Sequence, residues 1–147
     1  MVSKFIALQM SAAFVFMLLC TQVARAQTTS DAMQVVSMTT TMLAKELKPG
    51  SPEAHIAKVV LTDSYAIVEW HEGHSGGEKL FQKKFGIGWV PLGGGAELRP
   101  SSLAAYDVPS TTATALVAGM KSCAKPQTLT FHGRVTAVCF VGPCKVC

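Results

Sequence analysis

The chain has 147 residues, 49% of them apolar and 15% charged, with a formal net charge of +4 and a pI near 8.9. That length suits one domain. No basic run exceeds Lys83-Lys84, which excludes the patch or stripe of cations that a nucleic-acid binder needs. At the N-terminus, Met1–Lys4 is a short basic lead and Phe5–Cys20 is mostly apolar, interrupted by Gln9 and Ser11. Ala24-Arg25-Ala26 then supplies the small-x-small pattern of a signal-peptidase site. The apolar core is short for a bilayer span of about 20 residues, so cleavage before Gln27 is expected in place of an uncleaved anchor. Leu19, before Cys20, argues against a lipoprotein. Removing residues 1–26 leaves 121 residues, takes Lys4 and Arg25 away and lowers the net charge to +2. The expected location is periplasmic or secreted, with no stable membrane span once the signal is gone.

Asp31 followed by Gln34 has the form of a capping box. From there to Lys48, Val36, Leu43 and Leu47 recur at helical spacing, flanked by Val35, Met38 and Met42. Pro49-Gly50 ends this amphipathic helix. Met33, Met38 and Met42 offer thioethers, which suit copper(I), but helical spacing alone explains them as core filler. Ile56–Thr62 reads as a strand, Asp63-Ser64 as a two-residue turn and Tyr65–His71 as the next strand. Along that second strand Ala66, Val68 and Trp70 share one face, and Tyr65, Ile67 and Glu69 the other. A glycine-rich turn over 71–77 leads into a strand over Glu78–Phe85, and Gly86–Gly88 into another over Trp89–Leu92. Such short turns argue an antiparallel meander, since parallel strands need a crossover of a dozen or more residues.

Beyond Gly93-Gly94-Gly95, Ser101–Ala105 suits one helical turn. Val108-Pro109-Ser110 introduces a second helix through Met120, with Ala113, Leu116, Val117 and Met120 inward. The expected fold class is α+β: an N-terminal helix packed on a three- to four-stranded antiparallel meander, closed by the second helix. Residues 27–120 form this single domain, with Leu43, Val68, Trp70, Phe81, Trp89 and Leu116 in its core. Residues 121–147 form a cysteine-rich tail in which Leu129–Phe131 and Val135–Val141 pair as a hairpin through His132-Gly133. The four cysteines after cleavage, Cys123, Cys139, Cys144 and Cys147, favour disulfides in an exported chain, with three connectivities open. Cys123–Cys139, tying the second helix to the hairpin, is one of them.

Tyr65-Ala66-Ile67-Val68-Glu69-Trp70, Gly76-Gly77, Leu80-Phe81, Trp89, Gly94-Gly95 and Val108-Pro109 with Ala113 and Leu116 form a spaced pattern over roughly residues 56–120. It resembles a family of small exported bacterial proteins labelled copper uptake system-associated proteins. Asp107 stands where that pattern has glycine before the Val-Pro pair. The resemblance implies an association with copper handling, without a ligand set or an activity.

Residues suited to metal chemistry gather in the middle of the chain, where His71-Glu72-Gly73-His74 places two imidazoles in a turn. The spacing is not the His-Glu-x-x-His of a zinc protease, which needs one helix face. Imidazoles converging in a turn still suit copper, zinc or nickel, whereas the structural alternative is a solvated hairpin tip. His55 and His132 complete a site only if the fold brings them close. Cys144-x-x-Cys147 lacks the following helix that lowers a thiol pKa in redox enzymes. The triple glycine lacks the Gly-Lys-Ser/Thr of a phosphate loop, and no Gly-x-Ser-x-Gly elbow is present. The expectation is therefore a non-catalytic accessory protein holding copper or a related metal through His71 and His74. The competing expectation is an interaction module offering its sheet or glycine-rich turns to a protein partner in the same compartment.

Overall fold

The structure, a computed structural model, describes residues 26–142. Residues 1–25 of the expected signal peptide and the Cys144/Cys147 pair lie outside the described residues.

Helix α1 occupies 26–46. It buries Ala32, Val35, Val36, Thr39 and Leu43, the i, i+3, i+4 stripe that a helix lays on a sheet. The hydroxyls of Thr39, Thr40 and Thr41 donate to the carbonyls four residues back, which satisfies three polar groups inside the helix. Met38 and Met42 pack against this core, while Met33 remains 38% exposed. The expected capping box does not form, because the helix is already running at residue 26 and Asp31 lies inside it. The Asp31 carboxylate instead takes Lys83 Nζ at 2.8 Å on both oxygens and the indole N–H of Trp89 at 3.1 Å. Replacing Asp31 by alanine strands this lysine and indole, and is expected to cost about 1–2 kcal/mol in urea unfolding. A loss close to zero would show that the clamp contributes nothing.

Four strands follow: β1 (His55–Leu61), β2 (Tyr65–Glu72), β3 (Ser75–Lys84) and β4 (Gly88–Gly95). Each pairs antiparallel with the next, so the meander is present. Two short helices come next, α2 (Pro100–Ala104) and α3 (Ser110–Lys121), then β5 (Gln127–Phe131) and β6 (Arg134–Phe140). The β5–β6 hairpin turns at His132-Gly133, where both residues have positive φ, 49° and 75°. The hairpin does not stand apart, since β6 lies parallel to β1 and gives one six-stranded sheet in the order β4-β3-β2-β1-β6-β5. The expectation of three or four antiparallel strands is corrected on both counts. Between β1 and β6 the chain has the length and the helices that a parallel pairing requires.

The sheet is covered on both faces. Against α1 lie Ile56, Val59, Leu61, Ala66, Val68, Phe81 and Trp89. On the other face Val60, Tyr65, Ile67, Leu80 and Cys139 pack against Leu103, Val108, Ala113 and Leu116 of the α2–α3 segment. Val59-Val60-Leu61 and Ala66-Ile67-Val68 are buried without a break, as expected of central strands with helices on either side. Five of the six expected core residues are buried, whereas Trp70 is only half-buried, near the end of β2. Asp107, just before the Val-Pro pair, sits at φ 58°, a left-handed conformation in which glycine carries no steric penalty and Asp a tolerable one.

Candidate functional site

The turn after β2 is shorter than the seven residues expected. β2 runs to Glu72, β3 starts at Ser75, and only Gly73-His74 connects them, with Gly73 at φ 54°. A two-residue connection with glycine first is a favoured way to close a hairpin. It also sets the register: Glu72 faces Ser75, His71 faces Gly76, Trp70 faces Gly77 and Glu69 faces Glu78. On one face of the sheet this places Glu69 and His71 of β2 beside Glu78 of β3.

A β-bulge extends the group to β1. Ala57 is the extra residue, so that Lys58 stands opposite Glu69, while His55 stands opposite His71. Lys58 reaches across to donate to the Met120 carbonyl of α3 at 2.6 Å, which identifies the face as that of α3. The rings of His55 and His71 are 5.6 Å apart and tilted. All four histidines of the chain fall at this end of the sheet: His55 opening β1, His71 closing β2, His74 in the turn and His132 in the β5–β6 turn. Sequence spacing links only the middle two.

His71 and His74 border a common open cleft of about 300 Å³, together with Glu69, Glu78, Ala96 and the glycines at 73, 76 and 77. His71 Nε2 is 3.1 Å from Glu69 Oε1, a contact that fixes the ring and directs the other nitrogen elsewhere. That nitrogen lies against bare backbone, since a β-carbon at Gly76 would come within 2.8 Å of His71 Nδ1. Glycine at 76 therefore keeps the ring nitrogen open. His74 is exposed at the hairpin tip. His55 and His132 do not border this cleft; both line a second one, of about 240 Å³, beside the Glu53–Arg134 ion pair. Among the described residues no three or more His, Cys, Asp or Glu side chains converge as a closed metal cage.

The two carboxylates were not among the residues expected here. Glu78 accepts the Leu98 N–H at 2.5 Å. Burial pushes its carboxyl above the ordinary value of 4.5; the Leu98 bond works against that rise, the neighbouring Glu69 and Glu97 charges add to it, and Lys58 opposes it. Like charges directly across a strand pair are destabilising. Because its folded-state pKa is raised, the stability due to Glu78 is fully present below pH 4.5 and is lost as pH rises through the raised value. Glu78→Gln keeps an acceptor for Leu98 and removes the charge. The variant is expected to be more stable than the parent at pH 7, with a flatter decline above pH 4.5, in urea titrations across that range. A destabilised variant would show that the ionised carboxylate is favourable as it stands.

Comparison with known proteins finds no matching family model, no matching curated protein and no matching solved structure. No comparison therefore supports the resemblance to copper uptake system-associated proteins drawn from residues 56–120.

Proposed function

We propose that this is an exported, non-catalytic accessory protein that binds copper or a related metal ion weakly, with His71 and His74 as its imidazole ligands. The observation that supports the reading is the cleft lined by His71 and His74 together with Glu69 and Glu78. A cation there relieves the repulsion of two opposed carboxylates, and imidazole nitrogen suits copper, zinc and nickel. Glu69 orients His71, and Gly76 leaves its second nitrogen accessible. The Cys123–Cys139 disulfide, with a Cα–Cα distance of 5.9 Å, accords with an oxidising compartment.

The test is a calorimetric titration of residues 27–147 with Cu(I) and with Cu(II), thiols being counted beforehand. Stoichiometric binding that disappears in His71→Ala/His74→Ala is the expected result. Binding no better than millimolar in both oxidation states would overturn the metal reading, and so would binding that survives the double change. A protein-interaction module is the second reading, and the sheet edge favours it. Strand β5 carries no charged residue and, among the described residues, pairs only with β6, which leaves its outer edge available to strand addition.

A further inference from the structure

The end of the sheet opposite the histidines has a different character. Strands β3 and β4 are joined there by the turn Phe85-Gly86-Ile87, in which Phe85 is fully exposed and Ile87 is 73% exposed. Gly86 and Gly88, at φ 74° and 93°, set the turn. Its base is held, because Trp89 is buried and Lys83 is paired with Asp31. Lys84, next to Phe85, is exposed. Two large apolar side chains and a cation are thus displayed together on a braced turn.

Helix α1 places the same end beside the start of the described chain. Glu46 pairs with Lys79 and Asp31 with Lys83, so α1 runs alongside β3 with its N-terminal end toward the turn. Residue 26 lies five residues before Asp31, roughly 7.5 Å further along at 1.5 Å per residue, which brings it level with Phe85 and Ile87. The sequence entering the fold at that point is preceded by the apolar stretch Phe5–Cys20. In the export reading proposed above, on which this point rests, the apolar stretch precedes the fold at the same end as the turn.

We propose that the Phe85–Ile87 turn is a membrane-docking tip, inserting its two apolar side chains into the interface of an anionic phospholipid bilayer with Lys84 against the headgroups. A protein partner fits the feature less well, because a stable protein interface buries about 1,000 Å² or more and this turn offers two side chains. Interfacial membrane attachment needs only a few apolar residues beside a cation, and a single weak anchor gives the reversible binding that suits an accessory protein. The proposal does not depend on the metal reading, since tip and cleft lie at opposite ends of β3.

The experiment is co-sedimentation of residues 27–147, which keep every buried side chain among the described residues, with vesicles of phosphatidylethanolamine with and without phosphatidylglycerol. Binding to the anionic vesicles is expected, weakened about tenfold or more by Phe85→Ser/Ile87→Ser and also weakened by Lys84→Glu. Because these side chains are exposed, the variants keep the unfolding midpoint of the parent, which is checked alongside. As a second readout, Phe85→Trp should show an indole emission that shifts to the blue with anionic vesicles and is quenched by brominated lipid. No vesicle binding by the parent, or binding indifferent to Phe85 and Ile87, overturns the proposal. Self-association lost in the Phe85→Ser/Ile87→Ser variant, without lipid binding, also overturns it and assigns the tip to a second copy of the chain.

Discussion

Removing the Cys123–Cys139 disulfide, as Cys123→Ser/Cys139→Ala, is expected to lower the unfolding free energy by about 3 kcal/mol and Tm by roughly 10 °C. The pair joins positions 16 apart in sequence, and closing a loop of that size removes about this much entropy from the unfolded chain. Its place in the fold makes the loss consequential. Cys123 follows the end of α3, and Cys139 is fully buried on β6 opposite Val60 of β1. The bond thus ties the helical layer to the strand that makes the sheet's parallel pairing. Alanine is chosen at 139 so that no hydroxyl is introduced into an apolar layer. Against a typical total of about 5–15 kcal/mol for a small domain, the double variant should unfold at a much lower urea concentration. A change below about 1 kcal/mol would mean that the hairpin is held by strand pairing alone.

Phe81→Ala is expected to cost about 3–5 kcal/mol, and Trp70→Ala under about 2 kcal/mol, although tryptophan is the larger side chain. Phe81 is completely buried at the middle of β3, between Ala66 on one side and Pro91 on the other, beneath α1. Deleting its ring leaves a cavity in a layer bounded by a helix and a sheet, where neighbours relax little. Trp70 sits where β2 approaches its end and borders an open groove with Met42 and Glu46. There water fills what the indole vacates. Equilibrium unfolding of both variants side by side checks the order. The reverse order would place the centre of the α1 layer at Trp70.

Most elements were legible from local sequence, although β3 begins at Ser75 and not Glu78, and β4 runs on through the triple glycine to Gly95, beyond the expected Leu92. The alternation through Tyr65–Trp70, the Asp63-Ser64 turn, the Val-Pro-Ser start of α3 and the His132-Gly133 turn are local matters, in which neighbouring residues decide the backbone. Asp31 misled because its side chain suits a helix cap by propensity. Its actual partners, Lys83 and Trp89, lie more than fifty residues away.

His71 and His74 were legible as a pair of imidazoles close in sequence, and they border one cleft. Glu69 and Glu78 followed only once the turn was cut to Gly73-His74, since the length of a hairpin connection sets which residues face each other. His55 was further out of reach. In regular alternation His55 and Lys58 fall on opposite faces of β1, and one inserted residue, Ala57, brings both to the face of Glu69 and His71.

The sequence by itself determined an α+β chain of short antiparallel strands, its helices, most of its core and the two central histidines. Each depends on periodicity or on turn chemistry within a few residues. Only the tertiary structure decided that β6 lies parallel to β1, that α1 and α3 cover opposite faces, and that the histidines gather at one end with the apolar turn at the other. Those features depend on contacts between residues far apart in the chain, where the energy is set by which surfaces meet and not by which residues are neighbours.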